Sequence, residues 1–186
     1  HFSGGVSSPG VVLLFAVVLA HEFGHALSCK ALGGQAPLII LWPLGGIAYV
    51  QPPPRAGAML WSIAAGPLVN VVLLPITLVP AYLMHKGIIQ AGVAGDLLYD
   101  VAAINAVLLF FNLLPFYPLD GGQIVRSLLW FACGRGMSLV IAAAIGLAGA
   151  AVLGAWALYM TDVWLAVLIG FLGMTSFKGL QQGMAL

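Results

Sequence analysis

The sequence predicts an all-α polytopic membrane protein. It has about five transmembrane helices, with a short membrane-associated β-hairpin between the first two. Two observations carry this reading. Of 186 residues, 62% are hydrophobic and only 6% charged, against about 25% charged in a soluble domain. Six Lys and Arg with five Asp and Glu cannot coat a water-facing surface of this size, which excludes a soluble globular protein and a disordered chain. The apolar residues also gather in runs close to the ~20 that ~30 Å of hydrocarbon requires. A net charge of +1 excludes a nucleic-acid partner bound by phosphate neutralisation.

The first span covers Val11 to Leu32. Between it and the second, Leu38 to Val50 holds two short apolar runs around Trp42-Pro43-Leu44-Gly45-Gly46, the pattern of a hairpin. It is too short to cross as a helix, so it dips into the membrane or lies against the bundle. The second span is Ala58 to Met84 and the third Leu97 to Leu114. Pro115 to Gly122 is a loop, followed by an amphipathic segment from Gln123 to Phe131. The fourth span is Met137 to Tyr159, whose Ala142, Gly146, Gly149 and Ala150 suit close helix packing. The fifth, Val163 to Phe177, is short. Residues 1–186 read as one intramembrane domain.

Alternating spans put Lys30, Arg55, Arg126, Arg135 and Lys178 on one face and Lys86 on the other, so the first face is cytoplasmic by the positive-inside rule. Asp96, Asp100 and Asp162 then lie outside. Cys29 and Cys133 fall on the cytoplasmic side, where a structural disulfide is not expected.

The chemistry lies in His21-Glu22-Phe23-Gly24-His25. Residues four apart sit one turn apart on one helix face, so both imidazoles can bind one metal ion. Glu22 lies beside them, placed to reach a metal-activated water. This is the HExxH pattern of zinc hydrolases. His21 lies roughly 15 Å into its span at 1.5 Å per residue, where His and Glu are costly without a purpose. The bland alternative is a polar cluster bonding neighbouring helices. Cys29 continues the same face, but nearer the cytoplasmic end, and reads as a small packing residue.

Catalytic zinc usually takes three protein ligands. Asp96, Asp100, Asp162 and His85 are on the wrong side, and His1 precedes the span. Asp120 remains, in a loop that the third span delivers to the correct face. Alone it would read as an N-cap for the helix starting at Gln123. With two histidines needing a partner, it reads as a ligand. Gly121 and Gly122 permit close backbone approach there. Zn²⁺ with ionised Glu22 and Asp120 is neutral, which suits a low-dielectric site.

These segments resemble the site-2 protease family of intramembrane zinc metalloproteases. The resemblance rests on His21-Glu22-Phe23-Gly24-His25-Ala26, Pro43-Leu44-Gly45-Gly46, Ala65-Gly66-Pro67-Leu68-Val69-Asn70, and Phe111-Asn112-Leu113-Leu114-Pro115 with Pro118-Leu119-Asp120-Gly121-Gly122. No insert separates the motifs, as in the compact prokaryotic subgroup that includes the sporulation-factor protease. The resemblance implies one zinc ion on His21, His25 and Asp120, with Glu22 as the base. It implies a bacterial or archaeal plasma membrane, a transmembrane or membrane-anchored protein substrate, a regulatory membrane partner, and a further helix upstream of His1.

Asn112 is a candidate donor to the oxyanion of the tetrahedral intermediate; its other reading is a helix-end cap, and the family motif favours the first. Asn70 and Asn105 read as packing residues on an interior polar stripe. Gly45 and Gly46 are candidate substrate-binding positions, where a substrate strand could add to the hairpin edge; the other reading is that the hairpin plugs the bundle. Two further functions stay open. A metal-ion transporter would show ligands at several depths or inverted repeats. A catalytically inactive relative would bind membrane segments without cutting them.

Overall fold

Large apolar side chains cover the outside of this protein, while small and polar ones fill its interior. On the third helix Phe110 is 73% exposed and Asn105 is 0% exposed. The side chains sealed most completely include Asn70, Asn105, Cys29, Ser62 and Ser138. In water this inversion would be ruinous. In lipid, apolar surface costs nothing outside, and helices associate through small residues and interior hydrogen bonds.

The computed structural model describes residues 8–42, 45–90 and 93–186. Pro43 and Leu44 of the hairpin turn, and His1, lie outside the described residues. The order is α1 (Ser8–Ala31), β1 (Gln35–Trp42), β2 (Gly45–Gln51), α2 (Ala56–His85), α3 (Val93–Asn112), α4 (Asp120–Tyr159) and α5 (Val163–Met184). Among the described residues, α1, α2, α4 and α5 are long and apolar enough to cross a membrane.

The start of α4 at Asp120 and the end of α5 depart from the sequence expectation. Within α4, two helices meet across a kink at Gly134 (φ 80°, ψ 173°), between the amphipathic segment and the fourth span. That positive φ is open to glycine and strained for other residues, so the helix changes direction there without a loop. The last helix continues past Phe177 to Met184. Its internal hydrogen bonds do not need apolar side chains, so the polar residues from Lys178 onward do not end it. At its start, Asp162 caps the helix by accepting the Leu165 N–H at 3.0 Å.

The chain divides into two compact units, the first His1–Pro52 with Ala65–Phe110 and the second Pro53–Ala64 with Phe111–Leu186. In the first, the antiparallel hairpin pairs Leu38 with Tyr49, Ile39 with Ala48 and Leu41 with Gly46, and it lies against α1. Gly24 of α1 sits so close to α2 that a Cβ would fall 2.6 Å from the Ala65 carbonyl oxygen. In the second unit α4 packs along α5. Gly149 receives the loop before α4, and Gly146 receives both that loop and Ser176 of α5. A Cβ at Gly149 would collide with the Phe116 ring, and one at Gly146 with the Tyr117 carbonyl. The Ser176 hydroxyl donates to that same carbonyl. The two cysteines are free.

Candidate active site

His21, Glu22 and His25 are all buried on α1. The helical period turns both imidazoles the same way, and their Nε2 atoms lie 3.1 Å apart. The rings meet edge to face, with centroids 4.7 Å apart and planes at 85°. Two nitrogens at about 2.0–2.1 Å from one tetrahedral zinc stand roughly 3.3 Å apart. The observed pair therefore fits a shared ion with almost no adjustment. Gly66 of α2 makes room for it, since a Cβ there would run into the His25 ring.

The far side of His21 is also engaged. Its Nδ1 lies 2.7 Å from Oδ1 of Asn70. Asn70 in turn accepts, at its backbone oxygen, a 2.8 Å hydrogen bond from Nδ2 of Asn105. The polar stripe read from the sequence as packing thus reaches one of the motif histidines.

Glu22 faces the hairpin. Its Oε2 accepts the Ala48 N–H at 2.7 Å. Gly46 lies against the same side chain, where a Cβ would fall 2.6 Å from Glu22 Cγ and 2.8 Å from Oε1. The hairpin therefore holds the acid, and the Ala48 N–H is not offered to an incoming strand. Gly45 pairs with Trp42, the last pair of the ladder after Leu41 with Gly46.

Asp120 belongs to the second unit and is the first residue of α4. The N-cap is Leu119, which makes no side-chain capping bond, so Asp120 is not the cap that its sequence context allowed. The loop ahead of it contains a cis Tyr117–Pro118 peptide. It is closed by Leu119 N–H to the Phe116 carbonyl at 2.8 Å and by Gln123 Nε2 to the Pro118 carbonyl at 3.0 Å. Gly121 and Gly122 lie where a Cβ would strike the backbone of 113–117. Asn112 is the last residue of α3 and partly exposed. Cys29 is sealed in the core with its thiol 3.4 Å from the Gln35 carbonyl, a packing position. His85, Asp96 and Asp100, set aside as ligands, line a cavity of about 740 Å³ with Tyr82 and Tyr99.

Comparison with known proteins now bears on this arrangement. The site-2 protease from Methanocaldococcus jannaschii has a solved structure that superposes with a TM-score of 0.71 at 30% identity, over 91% of this chain and 76% of that one. The chain belongs to the site-2 protease family. The model of peptidase family M50 matches residues 75–156. Zinc metalloprotease MJ0392 of Methanocaldococcus jannaschii is 36% identical over 135 residues, which is 73% of this chain and 38% of that protein. The chain thus spans under two fifths of that relative's length, and it is an integral membrane protein.

Sequence reasoning assigned no site role to Asn70, read there as a packing residue, or to the Ala48 N–H and Gly66. The signal for Asn70 was present. An amide within an apolar, proline-rich helix must find a partner in lipid, and the buried His21 ring needed one too.

Proposed function

We propose that this chain is an intramembrane zinc metalloprotease that hydrolyses a peptide bond within or near a transmembrane segment of a membrane protein. The carrying observation is the pair of Nε2 atoms 3.1 Å apart beside a buried carboxylate on the same helix. His21, His25 and Asp120 would hold one zinc ion, each offering one ligand atom. Loss of the capping reading for Asp120 supports this set, as does membership of the family. When bound, zinc supplies Lewis-acid activation of water and of the scissile carbonyl.

The chain's own residues do the rest. Glu22 is the general base, accepting the proton from the attacking water and returning it to the leaving amine. Its Oε2 accepts the Ala48 N–H, which holds the carboxylate beside Gly46. Asn112 would donate to the oxyanion of the tetrahedral intermediate. Gly45 and Gly46 are where the unwound substrate would run along the hairpin. The end of α1 and the Asp120 loop face the cytoplasm on the charge count above. The partners are a transmembrane or membrane-anchored substrate, the bilayer itself and a regulatory membrane protein.

Co-expression with a single-span reporter tests this reading. Wild type is expected to cleave it. Glu22→Gln should abolish cleavage while retaining zinc, and His21→Ala and Asp120→Asn should lose zinc. Equal cleavage by wild type and Glu22→Gln sinks the base, and full zinc occupancy in His21→Ala or Asp120→Asn sinks the ligand set.

A further inference from the structure

We infer that Asn70 is a positioning residue for the zinc ligand His21, holding its ring in the one tautomer that leaves Nε2 as a donor atom. The inference rests on the metalloprotease reading above. Neutral imidazole carries its proton on one nitrogen only. Asn70 Oδ1 is an acceptor, so the 2.7 Å contact places the proton on Nδ1. Nε2 then keeps its lone pair, and Nε2 is the atom turned toward His25. Metal-binding histidines depend on such partners for ring orientation and basicity.

A purely structural role fits Asn70 poorly. Its side chain is wholly buried, and its Nδ2 has no hydrogen-bond partner among the described residues. A buried amide with half its capacity unmet is a net cost, which an apolar residue of similar size would remove. What the amide uniquely supplies is the acceptor for His21. The surroundings hold that acceptor in place. Asn70 lies between Pro67 and Pro75 in α2, where missing N–H groups loosen the helical ladder. The Asn105 side chain, from α3, bonds the Asn70 backbone carbonyl and ties this turn down.

The test compares Asn70→Leu, which keeps the volume and removes the acceptor, with Asn70→Asp, which keeps an acceptor. Zinc affinity of the full chain in detergent is read by chelator competition, with helix content as the folding control. Asn70→Leu is expected to bind zinc about 10–100-fold more weakly, and Asn70→Asp to stay within about threefold of wild type. Equal losses in both variants, or wild-type affinity in a folded Asn70→Leu protein, overturn the inference. A second readout needs no variant. Ring ¹⁵N spectra of metal-free wild type should show His21 protonated at Nδ1, and protonation at Nε2 instead overturns it. His21→Ala separates the two levels. Zinc retained there removes the ligand reading and this inference with it. Zinc lost there but held normally by Asn70→Leu overturns the positioning role alone.

Discussion

Gly46→Ala probes how the hairpin holds the general base. A Cβ at this position would lie 2.6 Å from Glu22 Cγ, 2.8 Å from Glu22 Oε1 and 2.8 Å from Val18 Cγ1, where ordinary contact begins at 3.4 Å. The methyl group is therefore about 0.8 Å too close to the acid. Relief can come from moving Glu22 or from moving β2. Either motion lengthens the 2.7 Å bond from Ala48, two residues along the same strand. Stretched by that amount it passes the limit of a useful hydrogen bond, about 3.2 Å. The carboxylate then sits nearly 1 Å from its working position. Such a displacement costs about 100-fold in rate, or about 2.7 kcal/mol of barrier. The assay is the initial rate of reporter cleavage by purified protein in proteoliposomes, with zinc content measured on the same sample. We expect the rate to fall about 100-fold with zinc at full occupancy, because the atoms nearest that Cβ belong to Glu22 and Val18. A rate within threefold of wild type refutes the clamp. Loss of zinc refutes its specificity, since the hairpin would then support the helix rather than the acid.

Gly66→Ala should act on the metal instead. Its Cβ would meet the His25 ring, so zinc affinity should fall by more than about tenfold, measured by chelator competition. Ser176→Ala removes the donor to the Tyr117 carbonyl. Interhelical hydrogen bonds in membranes average about 0.6 kcal/mol, so unfolding in mixed detergent should shift by an amount of that order; no shift means the loop ahead of Asp120 is held by Phe116 and Tyr117 packing alone.

Much of the fold was legible because lipid makes strong demands on composition. Runs of apolar residues had to be helices, since only helices satisfy their own backbone in hydrocarbon. The hairpin was visible because its runs were too short to span. The helix ends were less legible. Gln123 to Phe131 and the span beginning at Met137 are two helices that meet across a kink at Gly134, but the first of them starts earlier than expected, at Asp120. The fifth helix looked short because polar residues from Lys178 onward interrupt the apolar run, while the backbone ladder runs on to Met184.

At the site, His21, Glu22 and His25 were readable because the helical period relates residues within one turn of chain. Asp120 was reached by elimination in a charge-poor sequence. Asn70 and Asn105 were noticed and assigned to packing, because no period connects them to a histidine on another helix.

The sequence by itself determined the solvent of this protein, four helices long and apolar enough to cross it, and the cluster of His21, Glu22 and His25. These follow from composition and from spacing along one helix. Only the tertiary structure decided what holds that cluster. The partner of His21 lies 49 residues away and the partner of Glu22 lies 26 residues away. The space for each depends on missing side chains at Gly66 and Gly46. A hydrogen bond or a close approach between separate elements depends on how they pack to within a few tenths of an ångström, and the order of residues along one chain does not carry that distance.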